Sequence, residues 1–259
     1  DIFYKGEIAE KISEDMKKNG GLLSYEDLST YSTKWTDPLF GTYRDLNVYT
    51  NHPPGGGIMV LEMLNILENF NLSKLGHNST EYIRVVCEAM KQATVDKESF
   101  VGDPDFVNVP IRRLLSKKHA MQCSKHILSG QKINIDRIGQ FESKDTTHVS
   151  VVDKHGNCVT MTHSLGMPSG VITDGLGFMY NGCMAVFDPR PGRAGSIEPG
   201  KSRFSSLAPT IVTKDSTPYM ILGAPGGTQI AMGILQTILN VVEFKMNMLE
   251  AVSAPRFSS

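Results

Sequence analysis

The 259-residue chain is predicted to fold as an α+β protein with stacked layers of helices and sheets. Apolar residues recur at helical spacing through residues 1–145, whereas from Thr146 they alternate with polar residues, as in strands with one buried face. An apolar helix follows the last predicted hairpin. Because helices come first, hairpins next and a helix last, the order favours a layered sandwich over a parallel sheet built from βαβ units.

The first part of the chain is expected to be mostly helical. One helix is predicted to end at Asn19 and the glycine pair after it, which supplies a left-handed C-terminal cap. A short helix begins at Ser24, where Asp27 stands at capping-box distance. A strand is then predicted at Leu46–Thr50.

Two longer helices complete this part. The Pro-Pro-Gly-Gly-Gly turn at residues 53–57 is predicted to open an apolar helix, and a further helix follows Asn78. Their methionines recur at the spacing of core-facing stripes, so packing is the expected role of these side chains.

The second part is predicted to contain two hairpins and a helix. Residues 147–151 alternate in polarity and return through a Gly-containing turn to residues 158–162. The second hairpin joins residues 210–213 to residues 219–223 through a polar turn. A Gly-Ala-Pro-Gly-Gly-Thr segment then leads into an apolar helix from Ile230 to about Val242.

The charge of the chain argues against a nucleic-acid partner. There are 26 Lys and Arg residues against 27 Asp and Glu, so there is no basic field to attract phosphates. Residues 1–145 hold 18 of the basic and 20 of the acidic residues, which leaves 8 and 7 for residues 146–259. No apolar run approaches the roughly 18 residues that span a bilayer, so no membrane span is expected.

The four cysteines form no CxxC pair and are expected to be free thiols; they are Cys87, Cys123, Cys158 and Cys183. Free thiols favour a reducing, cytoplasmic compartment. The chain starts with Asp1 rather than Met, so we expect a fragment of a longer protein, and a secreted or periplasmic location stays open. Neither a metal site nor a cofactor is predicted.

The segment from Gly195 to Ser202 matches the phosphate-binding pattern GxxxxGK(S/T), which would indicate a nucleotide-binding protein. That chemistry requires a strand before the loop and a helix after it, so that backbone amides converge on phosphate. Two prolines precede the segment and Pro209 follows within seven residues of Ser202. Nucleotide binding is therefore a minor alternative to an exposed loop.

Thr146 stands where a charged segment runs directly into a predicted strand. If the peptide bond between Asp145 and Thr146 is cut, the freed α-amine, with a pKa of about 8, lies beside the hydroxyl and serves as its base. Gly226 and Gly227 precede a predicted helix, where backbone N–H groups stabilise an oxyanion. From these residues alone, an ordinary strand threonine and a tight turn remain an open alternative.

Several ordered motifs closely resemble the γ-glutamyltransferase (γ-glutamyltranspeptidase) family over the whole chain. They are Gly-Asp-Pro-Asp-Phe at residues 102–106, Thr-Thr-His-Val-Ser at 146–150, Arg-Phe-Ser-Ser-Leu-Ala-Pro-Thr at 203–210, Gly-Ala-Pro-Gly-Gly at 223–227 and Ala-Pro-Arg-Phe at 254–257.

The resemblance implies a four-layer αββα sandwich of the N-terminal-nucleophile hydrolase type. It also implies a precursor that cuts itself between Asp145 and Thr146 into a large and a small subunit, which then stay associated. Residues 1–145 would be the C-terminal part of the large subunit and residues 146–259 the N-terminal part of the small one. Together they would form one sandwich domain, incomplete at both ends.

By the same resemblance, Thr146 would be the nucleophile in self-cleavage and turnover, and Ser164 would orient it. Gly226 and Gly227 would supply the oxyanion amides, and Ser205 with Ser206 would bind the α-carboxylate of a small γ-glutamyl or acyl-amide substrate of the glutathione type. The expected activity is amide cleavage through a threonyl acyl-enzyme, with transfer of the acyl group to water or an amine. The alternative is an uncleaved, non-catalytic relative that acts as a binding module.

Two positions depart from the family pattern. Val186 stands where family members that bind glutamyl groups place an acidic residue to pair the substrate amine, and Gly166 stands where a side-chain amide is usual. A buried ammonium without a counter-charge is costly. The sequence therefore indicates the reaction more firmly than the acyl donor.

Overall fold

A computed structural model describes residues 1–135 and 146–259, so Asp145 lies outside the described residues. The helices are α1 (Ile2–Lys5), α2 (Glu7–Lys18), α3 (Tyr25–Thr30), α4 (Gly57–Leu67), α5 (Leu72–Leu75), α6 (Thr80–Phe100), α7 (Ile111–Leu114), α8 (Lys117–Leu128), α9 (Gln229–Phe244) and α10 (Met248–Ser253). The strands are β1 (Leu39–Tyr43), β2 (Leu46–Thr50), β3 (Thr146–Val152), β4 (Cys158–Ser164), β5 (Thr210–Lys214) and β6 (Thr217–Leu222).

The chain divides into two compact units. The smaller unit comprises Asp1–Thr36 and Met167–Gly182, and a small apolar cluster around Ala9, Ile12 and Leu28 forms its interior. The larger unit comprises Asp37–Gly166 and Cys183–Ser259 and holds the candidate site residues of the described chain. Both units include residues from each side of position 146.

The larger unit is built on an antiparallel sheet with strand order β1-β2-β5-β6. Thr210 pairs with Thr50 on β2 and with Leu222 on β6. Adjacent antiparallel strands run in opposite directions, so the chain leaving β2, the chain entering β5 and the chain leaving β6 all meet at one end of the sheet. This end carries the loops that contain most of the predicted site residues.

Helices cover one face of this sheet. Helix α4 is buried along its whole length because it is apolar on nearly every side, and it contacts β1, α6, α8 and α9. The first residue of α4, Gly57, lies so close to β2 that a Cβ atom there would be 2.4 Å from Thr50 Oγ1. The start of the core helix is thereby fixed against the sheet end.

The hairpin β3–β4 contacts β5 and β6. Ser150 Oγ donates a hydrogen bond to the Ile221 carbonyl at 3.4 Å, and Thr160 Oγ1 donates to the Leu222 carbonyl at 3.1 Å. The polar positions of the hairpin therefore hold it beside β6, which places the first residue of β3 near the sheet end described above.

Most of the elements expected from the sequence are present. The strand β2 has the predicted bounds, and α3 carries the predicted capping box between Ser24 and Asp27. Gly20 adopts a left-handed φ of 73° just after α2. The helix expected after Asn78 begins at Thr80, because the Ser79 side chain rather than Asn78 caps it, accepting from the Tyr82 amide.

Some elements were missed. Strand β1 has no clear alternation, and Phe40, which projects from it, is half exposed. Helices α8 and α10 are also absent from the sequence prediction. The turn of the second hairpin is shorter than expected, because Asp215 and Ser216 adopt left-handed φ values of 47° and 63° and close it in two residues.

The phosphate-binding interpretation of residues 195–202 finds no support. No helix of the described chain begins between Ser202 and α9, so there is no helix N-terminus to receive a phosphate. The Lys201 side chain is buried, and its Nζ donates to Glu198 Oε1 at 2.8 Å. The lysine that would bind phosphate is thus already paired inside the protein.

None of the helices in the described residues combines the length and the apolar character needed to cross a bilayer.

The helix layer encloses one strongly polar cluster. Glu62 on α4, Asp96 on α6 and His119 on α8 contact one another in the interior. Burial raises the pKa of Glu62, and the hydrogen bond to Asp96 raises the pKa of His119.

Candidate active site

Thr146 and Ser164 lie directly opposite each other because they form the first pair in the β3–β4 register. Thr146 Oγ1 and Ser164 Oγ are 2.8 Å apart, a hydrogen-bond distance. The Gly166 amide donates to Ser164 Oγ at 2.8 Å. Ser164 thus accepts one hydrogen bond from the backbone while its hydroxyl holds the threonine hydroxyl in place.

His148 contacts side chains of the β3–β4 hairpin and lies against the loop that follows β6. Its Nδ1 lies 2.9 Å from Thr162 Oγ1, and its Nε2 lies 3.0 Å from Ser150 Oγ. The ring packs so closely on Gly223 that a Cβ atom there would be 2.0 Å from His148 Nδ1. Burial lowers the pKa of His148, which favours the neutral ring near pH 7.

The contacts of His148 were not predicted from the sequence, although this residue lies two positions after Thr146 and on the same face of β3. Strand periodicity places residues 146 and 148 on one face, so the sequence could have indicated that His148 lies on the side of the strand that carries Thr146. Its contact with Gly223 joins two distant segments and could not be deduced from periodicity.

Gly226 and Gly227 lie just before α9, as predicted. Their φ values are 119° and 55°, a region that favours glycine. Their carbonyl groups accept the first hydrogen bonds of the helix turn, from the amides of Gln229 and Ile230. Because these glycines precede the helix, their own N–H groups take no part in its hydrogen-bond ladder and lie at the positive end of its dipole.

Ser205 and Ser206 lie against the turn that opens α4. The Ser205 amide donates to the Pro54 carbonyl at 2.8 Å, and the Gly56 amide donates to the Leu207 carbonyl at 2.9 Å. A Cβ atom at Gly56 would lie 2.5 Å from the Ser206 carbonyl oxygen. The glycine at this turn therefore permits the close approach that fixes the serine pair at the sheet end.

Arg203 and Cys183 are further residues at the site that the sequence did not indicate. Gly166 has a φ of 69°, and a Cβ atom there would lie 2.3 Å from Cys183 Sγ and 3.4 Å from Arg203 Nη2. The thiol donates to the Leu165 carbonyl at 3.2 Å. Cys183 therefore fills the space next to Gly166, which is two residues after Ser164 in the chain.

The guanidinium of Arg203 also lies next to Gly166. Its Nη1 donates to the Phe204 carbonyl at 2.8 Å. Among residues 1–135 and 146–259, no carboxylate pairs with this side chain. A half-buried arginine at this position next to Gly166 is suited to bind an anionic group of a ligand.

Val186 ends a short 3-10 turn, Cys183–Val186, that carries no acidic side chain. Its side chain is partly exposed. The segment expected to face a substrate amine therefore presents a thiol, a thioether and apolar groups in this chain.

Comparison with known proteins matches residues 1–259 to the family model described as Gamma-glutamyltranspeptidase. The chain belongs to the gamma-glutamyltranspeptidase family. The family inferred from the sequence motifs is thereby confirmed.

Relatives within this family carry two kinds of name. The Escherichia coli (strain K12) protein named "Glutathione hydrolase proenzyme" is 38% identical over 275 residues, covering 99% of this chain and 47% of that protein. The Pseudomonas sp. (strain V22) protein named "Acylase ACY 1 proenzyme" is 38% identical over 260 residues, covering 99% of this chain and 47% of that protein. The chain spans about half the length of these gamma-glutamyltranspeptidase relatives.

A solved structure of an acylase shares the fold of this chain. The crystal structure of cephalosporin acylase from Bacillus halodurans matches with a TM-score of 0.85 and 30% identity, covering 98% of this chain and 46% of that one. The predicted N-terminal-nucleophile hydrolase fold is confirmed by this likeness.

Proposed function

We propose that the protein containing this chain cleaves γ-glutamyl or related amide bonds through a threonyl acyl-enzyme on Thr146. The observation that carries the proposal is the 2.8 Å contact between Thr146 Oγ1 and Ser164 Oγ at the first residue of β3. The names of the proenzyme relatives support a chain cleavage, and a cut before Thr146 would give this hydroxyl a base on the same residue.

The same hydroxyl serves two steps. In maturation, Thr146 Oγ1 attacks the Asp145 carbonyl carbon, the C–N bond breaks as the Thr146 amine takes a proton, and water hydrolyses the resulting ester. In turnover, the free α-amine accepts the hydroxyl proton while Oγ1 attacks the substrate amide. The leaving amine departs with that proton, and water or another amine then cleaves the acyl ester.

The neighbouring groups have separate roles in turnover. The Gly226 and Gly227 N–H groups stabilise the negative charge that develops on the substrate carbonyl oxygen. Ser164 orients the nucleophile through its hydroxyl. Ser205, Ser206 and the guanidinium of Arg203 bind the substrate carboxylate, the serines by hydroxyl hydrogen bonds and the arginine by a charge-assisted pair.

The composition of the turn Cys183–Val186 indicates which acyl donors the site prefers. A γ-glutamyl group carries an α-ammonium as well as a carboxylate, and this turn offers the ammonium no acidic partner. Because an unpaired buried charge is costly, dicarboxylic acyl groups without the amine, such as glutaryl, are the preferred donors, and γ-glutamyl compounds are weaker ones.

Trapping the acyl-enzyme tests this function. The matured full-length protein is mixed with a glutaryl anilide, quenched in acid and measured by mass spectrometry. The fragment that starts at Thr146 gains the mass of one glutaryl group, and Thr146→Ser keeps this adduct because it keeps the hydroxyl. Release of the aniline without an adduct on that fragment, or an adduct that maps to another residue, contradicts the proposal.

A further inference from the structure

The polar cluster in the helix layer has no part in the mechanism above. Glu62 and Asp96 are 2% and 5% exposed. His119 Nε2 lies 3.1 Å from Glu62 Oε1 and 3.2 Å from Asp96 Oδ2. Three separate helices thus bring two carboxylates and one imidazole to a single buried point.

The charges of the cluster do not balance without a further cation or proton. Among the described residues, His119 is the only basic group in contact with either carboxylate. One imidazolium offsets one carboxylate, and the second carboxyl group, which is hydrogen-bonded to the first, leaves a net negative charge in the cluster unless it holds a proton. A divalent cation bound to a neutral imidazole and two carboxylates restores neutrality.

The distances suit a metal ion. Ligand atoms bound to zinc at about 2.0–2.2 Å in a tetrahedron lie about 3.3–3.6 Å apart, slightly more than the two contacts of His119 Nε2. One oxygen from each carboxylate and a ring nitrogen all lie within 4.8 Å of one another. Small side-chain rotations would therefore bring these atoms around one ion.

A separate feature of α8 also fits a metal. Cys123 follows His119 by one helical turn, a spacing that sets both side chains on one face. Its Sγ lies 3.6 Å from His119 Nε2. On the other side, the Gln92 amide donates to Asp96 Oδ2 at 2.7 Å, as an outer partner that orients a ligand does.

We propose that Glu62, Asp96 and His119 bind one zinc-type divalent cation, with Cys123 within reach of the fourth position. The mixed oxygen, nitrogen and sulfur donors are those that zinc accepts. The ion ties α4, α6 and α8 together and so stabilises the helix layer on which the sheet packs. Sequence inspection missed it because the ligands come from three distant helices.

Zinc binding to the full-length protein tests the proposal. The protein is stripped with a chelator, titrated with Zn²⁺ by calorimetry and heated with and without the ion. We expect one ion bound per chain and a higher Tm. Glu62→Gln and His119→Gln, which keep side-chain size, weaken zinc binding by at least about 100-fold, more than the about 10–100-fold loss typical of an outer partner.

Two controls and a second probe make the result decisive. Glu81→Gln on α6 and His126→Gln on α8 change an acid and a histidine outside the cluster and leave zinc binding unchanged. Co²⁺ in the wild-type protein gives visible d–d absorption of a tetrahedral site, a readout that needs no variant. Absence of both zinc binding and the cobalt spectrum, or binding that both cluster variants retain, overturns the proposal.

Discussion

Thr146 and Ser164 face each other because the hairpin register pairs the first residue of β3 with the last of β4. The sequence motifs indicated both residues, and alternation predicted the hairpin. Arg203 was not indicated, because its relevance depends on Gly166 and Cys183, which lie in separate segments of the chain. A contact between such segments leaves no periodic signal in a single sequence.

Replacement of Arg203 is expected to affect only substrates that carry a carboxylate. Hydrogen bonds to a charged group contribute about 1.5–3 kcal/mol, so Arg203→Ala raises the KM for a glutaryl anilide by roughly 10- to 100-fold. Arg203→Lys recovers part of this loss, and a butyryl anilide is unaffected. Arg190→Ala serves as the control, because that exposed arginine already pairs with Asp188. Equal loss on both anilides would rule out carboxylate binding by Arg203.

The close contact between His148 and Gly223 makes turnover sensitive to a side chain at position 223. In Gly223→Ala the new methyl group meets the His148 ring, so the ring and the start of β3 must move. A misplacement of about 1 Å costs about a hundredfold in turnover. Gly195→Ala is the control, since a Cβ atom there lies 3.8 Å from its nearest neighbour. Turnover by Gly223→Ala equal to that of the control contradicts the expectation that the His148 ring positions the start of β3.

At the scale of elements, the site is assembled where three loops leave one end of the sheet. The loops open α4, precede β5 and follow β6. Strands and helices were predictable from period and turn residues, but the strand order was not, because the pairing of β2 with β5 joins residues far apart in the chain. Without knowledge of that pairing, the sequence could not show that the three loops meet at one end of the sheet.

The turn before α9 is expected to be sensitive to any side chain. Gly227→Val forces a β-branched residue into a φ of 55° and displaces the amides that stabilise the oxyanion. Loss of one such donor costs on the order of 3 kcal/mol, so turnover falls about a hundredfold or more. Anilide hydrolysis is compared with that of Gly233→Ala, a change in α9 with room for a methyl group. A folded Gly227→Val variant with near-normal turnover would remove this turn from the mechanism.

The turn Cys183–Val186 sets the expected donor preference. The ammonium of a γ-glutamyl anilide has no acidic partner there, which weakens its binding by roughly 2–4 kcal/mol relative to a fully paired ion. We expect a higher kcat/KM for the glutaryl anilide, and we expect glycylglycine to stimulate aniline release from the γ-glutamyl anilide only slightly. Val186→Asp supplies the missing charge and shifts preference toward the γ-glutamyl donor. Tight, transfer-dominated use of the γ-glutamyl donor by the wild type contradicts this assignment.

In the whole molecule, strands from both sides of the proposed cleavage point form one sheet. Strands β1 and β2 come before Thr146 and β5 and β6 after it, and β2 and β5 are joined by a backbone ladder. Helices from both sides share one core, since α9 packs on α4. We expect the two fragments to co-elute under native conditions and to separate only in denaturant. Separation of the fragments in native buffer would contradict this association.

The most direct measurement is the intact mass of freshly purified full-length protein, combined with sequencing of the new N-terminus. We expect two fragments, the smaller starting at Thr146. We also expect one uncut chain for Thr146→Ala and continued cleavage for Thr146→Ser, which retains the attacking hydroxyl. A wild-type protein that stays as one chain, or that is cut at another bond, would rule out self-cleavage before Thr146.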